Sequence, residues 1–165
     1  MIIEEKDGNL VITGFNEVDA FTIAVAIEKD GIDFYSKILG KIENPEAKEV
    51  IDFLLNEEKK HLKFFQDCLY SEAEERDDRF EQEDILSTID FGIFRPYKDI
   101  QELENILKDV KTALKLGLIA EEKSVRFYSL CRDKVESKDT KKILSLIIDE
   151  ELKHKEIINS LLRKI

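Results

Sequence analysis

Glu58-Lys59-Lys60-His61 recurs as Glu151-Leu152-Lys153-His154, and the offset of 93 residues that superposes the two motifs also carries Glu28 onto Glu121. On a helix, Glu-x-x-His sets both side chains on one face about a turn apart. Two such pairs, with one further Glu from each of two other helices, form the inward-facing ligand set of a bundle that holds a pair of divalent metals. Carboxylate-rich sets suit hard cations such as iron or manganese, and one imidazole per ion adds a moderate donor, whereas closed zinc sites lean on Cys and His. Two divalent cations would neutralise Glu28, Glu58, Glu121 and Glu151, whose close approach out of water is otherwise unfavourable. The chain has only 2 histidines, and both fall in the motif at matching positions.

Neighbouring residues sharpen the register. Glu57 and Glu150 stand four residues before the histidines and could share their face. The dimetal pattern uses the three-residue spacing, so these two acids are expected to flank the site or reach solvent. Glu122 aligns with Lys29, which leaves Glu121 as the better ligand. Tyr35 and Tyr128 each follow the lone Glu of their helix by seven residues, two turns along the same face. They could hydrogen-bond a ligand carboxylate, donate an electron, or simply fill the core.

The repeat runs without a gap from Ala20/Ala113 to Leu69/Leu162 and includes Phe34-Tyr35-Ser36 over Phe127-Tyr128-Ser129. It predicts an all-α, four-helix bundle of two repeated helical hairpins. Residues 1–15 form an N-terminal arm or a small β-hairpin about the turn signal Asp7-Gly8-Asn9. Residues 16–71 form the first helical hairpin. Its first helix starts near Asn16 as N-cap, carries Phe21, Val25, Ile32 and Tyr35 on its apolar face, and stops around Gly40. Its second opens at Asn44-Pro45-Glu46 and runs through Val50, Ile51, Leu54, Phe64 and Phe65 to about Ser71. Residues 72–102 are a crossover, too long for an ordinary loop and too apolar at Ile85-Leu86 and Ile89 for a free linker. Residues 103–165 form the second helical hairpin, with a helix from about Leu103 to Val135 and another from the N-cap Ser137 to the C-terminus. All 165 residues are read as a single domain.

A net charge of -11 argues against nucleic acid or an anionic membrane surface as a partner. Cys68 and Cys131 form no Cys-x-x-Cys pair, so no iron-sulfur or thiolate metal site is expected, and both read as half-buried thiols. The start Met1-Ile2-Ile3-Glu4-Glu5 lacks the features of a signal peptide, and no apolar run is long enough for a membrane span. A cytoplasmic location is expected.

Glu28, Glu58-x-x-His61, Glu121 and Glu151-x-x-His154, with the tyrosines at fixed spacing, make residues 16–165 resemble the rubrerythrin branch of the ferritin-like diiron-carboxylate proteins. The resemblance implies a ferritin-like bundle binding two iron ions, with manganese an option. It implies that Glu58 and Glu151 bridge the metals, that Glu28 and His61 cap one ion, and that Glu121 and His154 cap the other. It further implies a peroxidase, oxidase or ferroxidase acting on peroxide, dioxygen or ferrous iron in defence against oxidative stress, and it leaves a homodimer open. An oxygen-activating hydroxylase of an organic substrate and a non-catalytic, iron-handling bundle use the same residues. The rubredoxin module of the family needs four paired cysteines, which this chain lacks, so electrons are expected from a separate donor protein. Rubrerythrins also carry an additional Glu three residues after the third-helix ligand, where this chain has Ser124. Bacterioferritin is similar in its six ligands, but its haem is held by methionine and the only Met here is Met1.

Overall fold

A computed structural model describes residues 2–6, 9–76 and 109–165. Strands β1 (Ile2–Lys6) and β2 (Asn9–Thr13) pair antiparallel, with Ile2 opposite Thr13 and Lys6 opposite Asn9. The residues expected to turn this hairpin, Asp7 and Gly8, lie outside the described set. Four helices follow: α1 (Glu17–Leu39), α2 (Pro45–Arg76), α3 (Val110–Lys134) and α4 (Lys138–Lys164).

Side-chain caps fix where these helices begin. The Asn16 side chain accepts from the Asp19 amide at 3.0 Å while the Asp19 carboxylate accepts from the Asn16 amide at 3.1 Å, a reciprocal capping box. Asn44 accepts from the Ala47 amide at 2.9 Å and Ser137 from the Thr140 amide at 3.2 Å. The third helix departs from expectation. It starts at Val110 rather than near Leu103, because the extended Asp109 caps it by accepting from the amide and the hydroxyl of Thr112 at 3.1 and 2.6 Å. Helix α2 runs to Arg76, past the expected end near Ser71. From residue 77 the expected crossover lies outside the described residues.

Helix α1 packs on α2 and α3 on α4 as two hairpins, and the hairpins join through α2 against α4 and α1 against α3. Phe21, Phe34, Tyr35, Ile51, Leu54, Phe65, Leu114, Tyr128, Leu144 and Ile158 are fully buried between them. Phe65 links the halves, its ring centroid 6.2 Å from Phe21 and 5.6 Å from Tyr128. A second link is polar: the buried Glu17 accepts from the Ser137 amide at 3.2 Å and so ties the start of α1 to the start of α4. Phe64, placed on the apolar face by its sequence, is 41% exposed, and its neighbour Phe65 takes the inward position instead. Cys131 is buried and Cys68 partly so.

Gly117 in α3 lies under the Tyr35 ring. A Cβ there would sit 3.4 Å from Tyr35 Oη and 3.6 Å from Ile158 Cδ1, which is ordinary contact rather than overlap. Glycine inside a helix costs about 1 kcal/mol relative to alanine. Gly117→Ala is therefore expected to raise unfolding stability by up to about 1 kcal/mol in denaturant melts of the metal-free protein. Gly117→Val, with branches at the contact with Tyr35, should lower it.

Candidate metal centre

Glu28 comes from the middle of α1, Glu58 and His61 from α2, Glu121 from α3, and Glu151 and His154 from α4; all six are buried, Glu28 completely. They converge in two groups. Glu28, Glu58, His61 and Glu151 each bring a donor atom within 4.8 Å of the others, and so do Glu58, Glu121, Glu151 and His154. Glu58 and Glu151 belong to both groups.

The spacing within each group suits a shared cation. His61 Nδ1 is 3.5 Å from Glu151 Oε1 and 3.8 Å from Glu28 Oε2. His154 Nδ1 is 3.1 Å from Glu151 Oε2, 3.6 Å from Glu58 Oε1 and 3.7 Å from Glu121 Oε2. Such separations suit ligands that each stand about 2 Å from one ion. The donor chemistry fits as well: Glu28 Oε2 and His61 Nδ1 are buried atoms with no hydrogen-bond partner among the described residues, an arrangement whose cost a cation would remove. The two imidazoles lie nearly parallel, 5.5 Å apart at 19°.

The tyrosines exchange halves. Tyr35 of α1 donates its hydroxyl proton to Glu121 of α3, and Tyr128 of α3 donates to Glu28 of α1. Burial and the adjoining carboxylates push both phenols well above their ordinary value, so they act as donors and not as phenolates. Glu122 faces outward and pairs with Lys155 at 3.4 Å. Glu57 is held by Lys60. Glu150 is half exposed, yet its Oε2 lies 2.8 Å from His61 Nε2. Sequence reasoning placed Glu150 on the flank without this bond; the only signal for it was the doubled acid that precedes each x-x-His.

The model of the rubrerythrin family matches residues 112–165, which hold Glu121, Ser124, Tyr128, Glu151 and His154. Over that stretch the chain is similar to rubrerythrin. No curated protein and no solved structure matches the chain. The match spans α4 and nearly all of α3, and the first hairpin, outside the match, supplies the repeat-related Glu28, Glu58 and His61 to the same interior. The buried Glu and His groups can hold a metal, as expected of a diiron-type metal-binding protein. No helix among the described residues is long and apolar enough to cross a membrane.

Without metal, protons take the place of the cations. Burial pushes Glu28 up to about 7 and, helped by the charge of Glu151, pushes Glu121 up to about 8. Burial and the charges of Glu28, Glu151 and Glu121 raise Glu58 well above the carboxylate range. Burial opposes the ionisation of Glu151 too, but the imidazoles of His154 and His61 hold it below that range. Burial also disfavours both imidazolium ions, yet Glu151 and Glu28 carry His61 up to about 9, and Glu121 and Glu151 carry His154 up to about 10.

Every group raised here holds its proton more tightly folded than unfolded. The acids thus contribute stability that is lost as pH rises from the ordinary carboxylate range through about 7 to 8, and the histidines stability that is lost through about 9 to 10. Glu151 contributes in the opposite sense, and its share is lost only in acid, below the ordinary carboxylate range. The metal-free protein is therefore expected to melt highest near about pH 5 and progressively lower toward about pH 9. Metal must displace these protons, so loading with ferrous iron under anaerobic conditions should raise the melting temperature most at the alkaline end. Thermal melts of both forms across that range check this; a metal-free protein that gains stability toward alkaline pH would contradict it.

Proposed function

We propose that the chain is a diiron oxidoreductase acting on peroxide, dioxygen or ferrous iron. The observation that carries this reading is the membership of Glu58 and Glu151 in both donor groups, each group completed by its own Glu and His. That is the donor set of a two-ion carboxylate bundle, in which Glu58 and Glu151 would serve both ions. Glu28 and His61 would complete one position, and Glu121 and His154 the other. Iron held there supplies reversible ferrous–ferric chemistry at two adjacent ions, and manganese fits the same donors.

The chain's own contribution is shielding and orientation. Burial of all six residues keeps bulk water from the centre, which favours a small reactant over an organic substrate. Tyr35 and Tyr128 orient Glu121 and Glu28 and hold a proton against those donor carboxylates. On this reading either phenol would be able to give up an electron to the centre. Cys131 is buried, with its thiol pushed up to about 12, so it stays protonated and apart from this chemistry. Electrons would come from a separate donor protein in the cytoplasm.

Anaerobic loading of the metal-free protein with ferrous iron should bring close to two irons per chain by metal analysis, and air exposure should give a ferric absorption spectrum. Glu58→Ala and Glu151→Ala should each lose more metal than Glu28→Ala, because a bridging carboxylate contacts both ions. Equal losses for all of them would reject the bridging roles, and failure to bind iron would reject the reading.

Ser124, buried one turn after Glu121, generates a kinetic expectation. The wild-type diferrous protein should react with peroxide more slowly than Ser124→Glu, which restores the extra carboxylate of the rubrerythrin pattern. Rapid-mixing kinetics measure this. Equal rates would show that the missing carboxylate has no bearing on the step.

A further inference from the structure

The two halves repeat in sequence, and their six inward donors stand at matching repeat positions. The contacts on the outer edges of the imidazoles are not. His61 Nε2 lies 2.8 Å from Glu150 Oε2, while Glu57, the residue related to Glu150 by the repeat, is held by Lys60 one turn along its own helix. His154 instead stands nearly perpendicular to the Phe53 ring, with centroids 6.5 Å apart at 86°. We infer that Glu150 is a positioning residue for His61 and that, through it, the Glu28/His61 position takes up metal before the Glu121/His154 position.

On the dimetal reading above, this order of uptake follows from the geometry of one imidazole. A carboxylate on Nε2 accepts that nitrogen's proton in a hydrogen bond, so the ring lone pair is left on Nδ1. His61 Nδ1 faces Glu28 and Glu151 and has no hydrogen-bond partner among the described residues. The bond therefore fixes both the ring angle and the tautomer that a metal requires, and it makes the nitrogen a better donor. A carboxylate in this role is worth about 10- to 100-fold in metal affinity. Glu150 is 48% exposed on its side chain, which points to the lower end of that range. Exposure also means that its replacement leaves the core packing untouched.

Cobalt(II) titration of the metal-free protein, followed by visible absorption, tests the ordering. Wild type should bind in two steps separated by about tenfold. Glu150→Ala should weaken the first step until the two merge, Glu150→Gln should recover part of the loss because it keeps an acceptor oxygen, and Glu57→Ala should leave both steps unchanged. In the zinc-loaded protein, nitrogen NMR should show one Nε2 proton whose protection from exchange depends on Glu150. Two equal steps in wild type, or the same response to Glu57→Ala and Glu150→Ala, would overturn the proposal while leaving the dimetal reading intact. Absence of cobalt binding would remove that reading, and this inference with it.

Discussion

Bringing four carboxylates out of water in one bundle interior is the constraint around which this molecule is built. Each buried ion costs several kcal/mol even after relaxation, against about 1.5–3 kcal/mol gained for each large apolar side chain buried. Left ionised and uncompensated, Glu28, Glu58, Glu121 and Glu151 would offset on the order of ten core side chains. The fold meets this with counter-groups placed around them: the imidazoles of His61 and His154 and the hydroxyls of Tyr35 and Tyr128. The apolar layers beyond, with Phe21, Phe65 and Ile158, keep water away. Water exclusion is also what gives the centre its capacity for strong ligation.

Much of this was legible in the sequence because helical geometry converts spacing into direction. Glu-x-x-His pairs, a lone Glu per remaining helix and a constant offset between halves leave few ways to arrange the donors. Helix starts were legible at Asn16, Asn44 and Ser137, where a short polar side chain precedes the first apolar turn. The start of α3 was not, since apolar residues continue upstream at Leu103, Ile106 and Leu107 and mask the cap at Asp109. Periodicity likewise does not separate Phe64 from Phe65, adjacent aromatics of which only one turns inward.

The interactions between halves were the least legible. Seven-residue spacing places Tyr35 on the face of Glu28, but it does not reveal that the hydroxyl reaches Glu121 on another helix. That outcome depends on the antiparallel packing of α1 on α3. Glu17 bonding to the Ser137 amide and Glu150 to His61 are of the same kind. An exact offset in sequence also hid a difference in space, because Glu57 and Glu150 are matched by the repeat and yet choose different partners.

The exchanged tyrosines have a consequence for what one half of the chain is by itself. A lone hairpin carries a Glu, a Glu-x-x-His and a Tyr, but the Tyr has no carboxylate to reach and its two donor groups are each incomplete. Completion requires a counterpart that presents the same set turned about a twofold axis. The pattern that specifies the centre thus fits within some fifty residues, written twice, and the long connection between the copies makes one molecule of what the geometry treats as a symmetric pair.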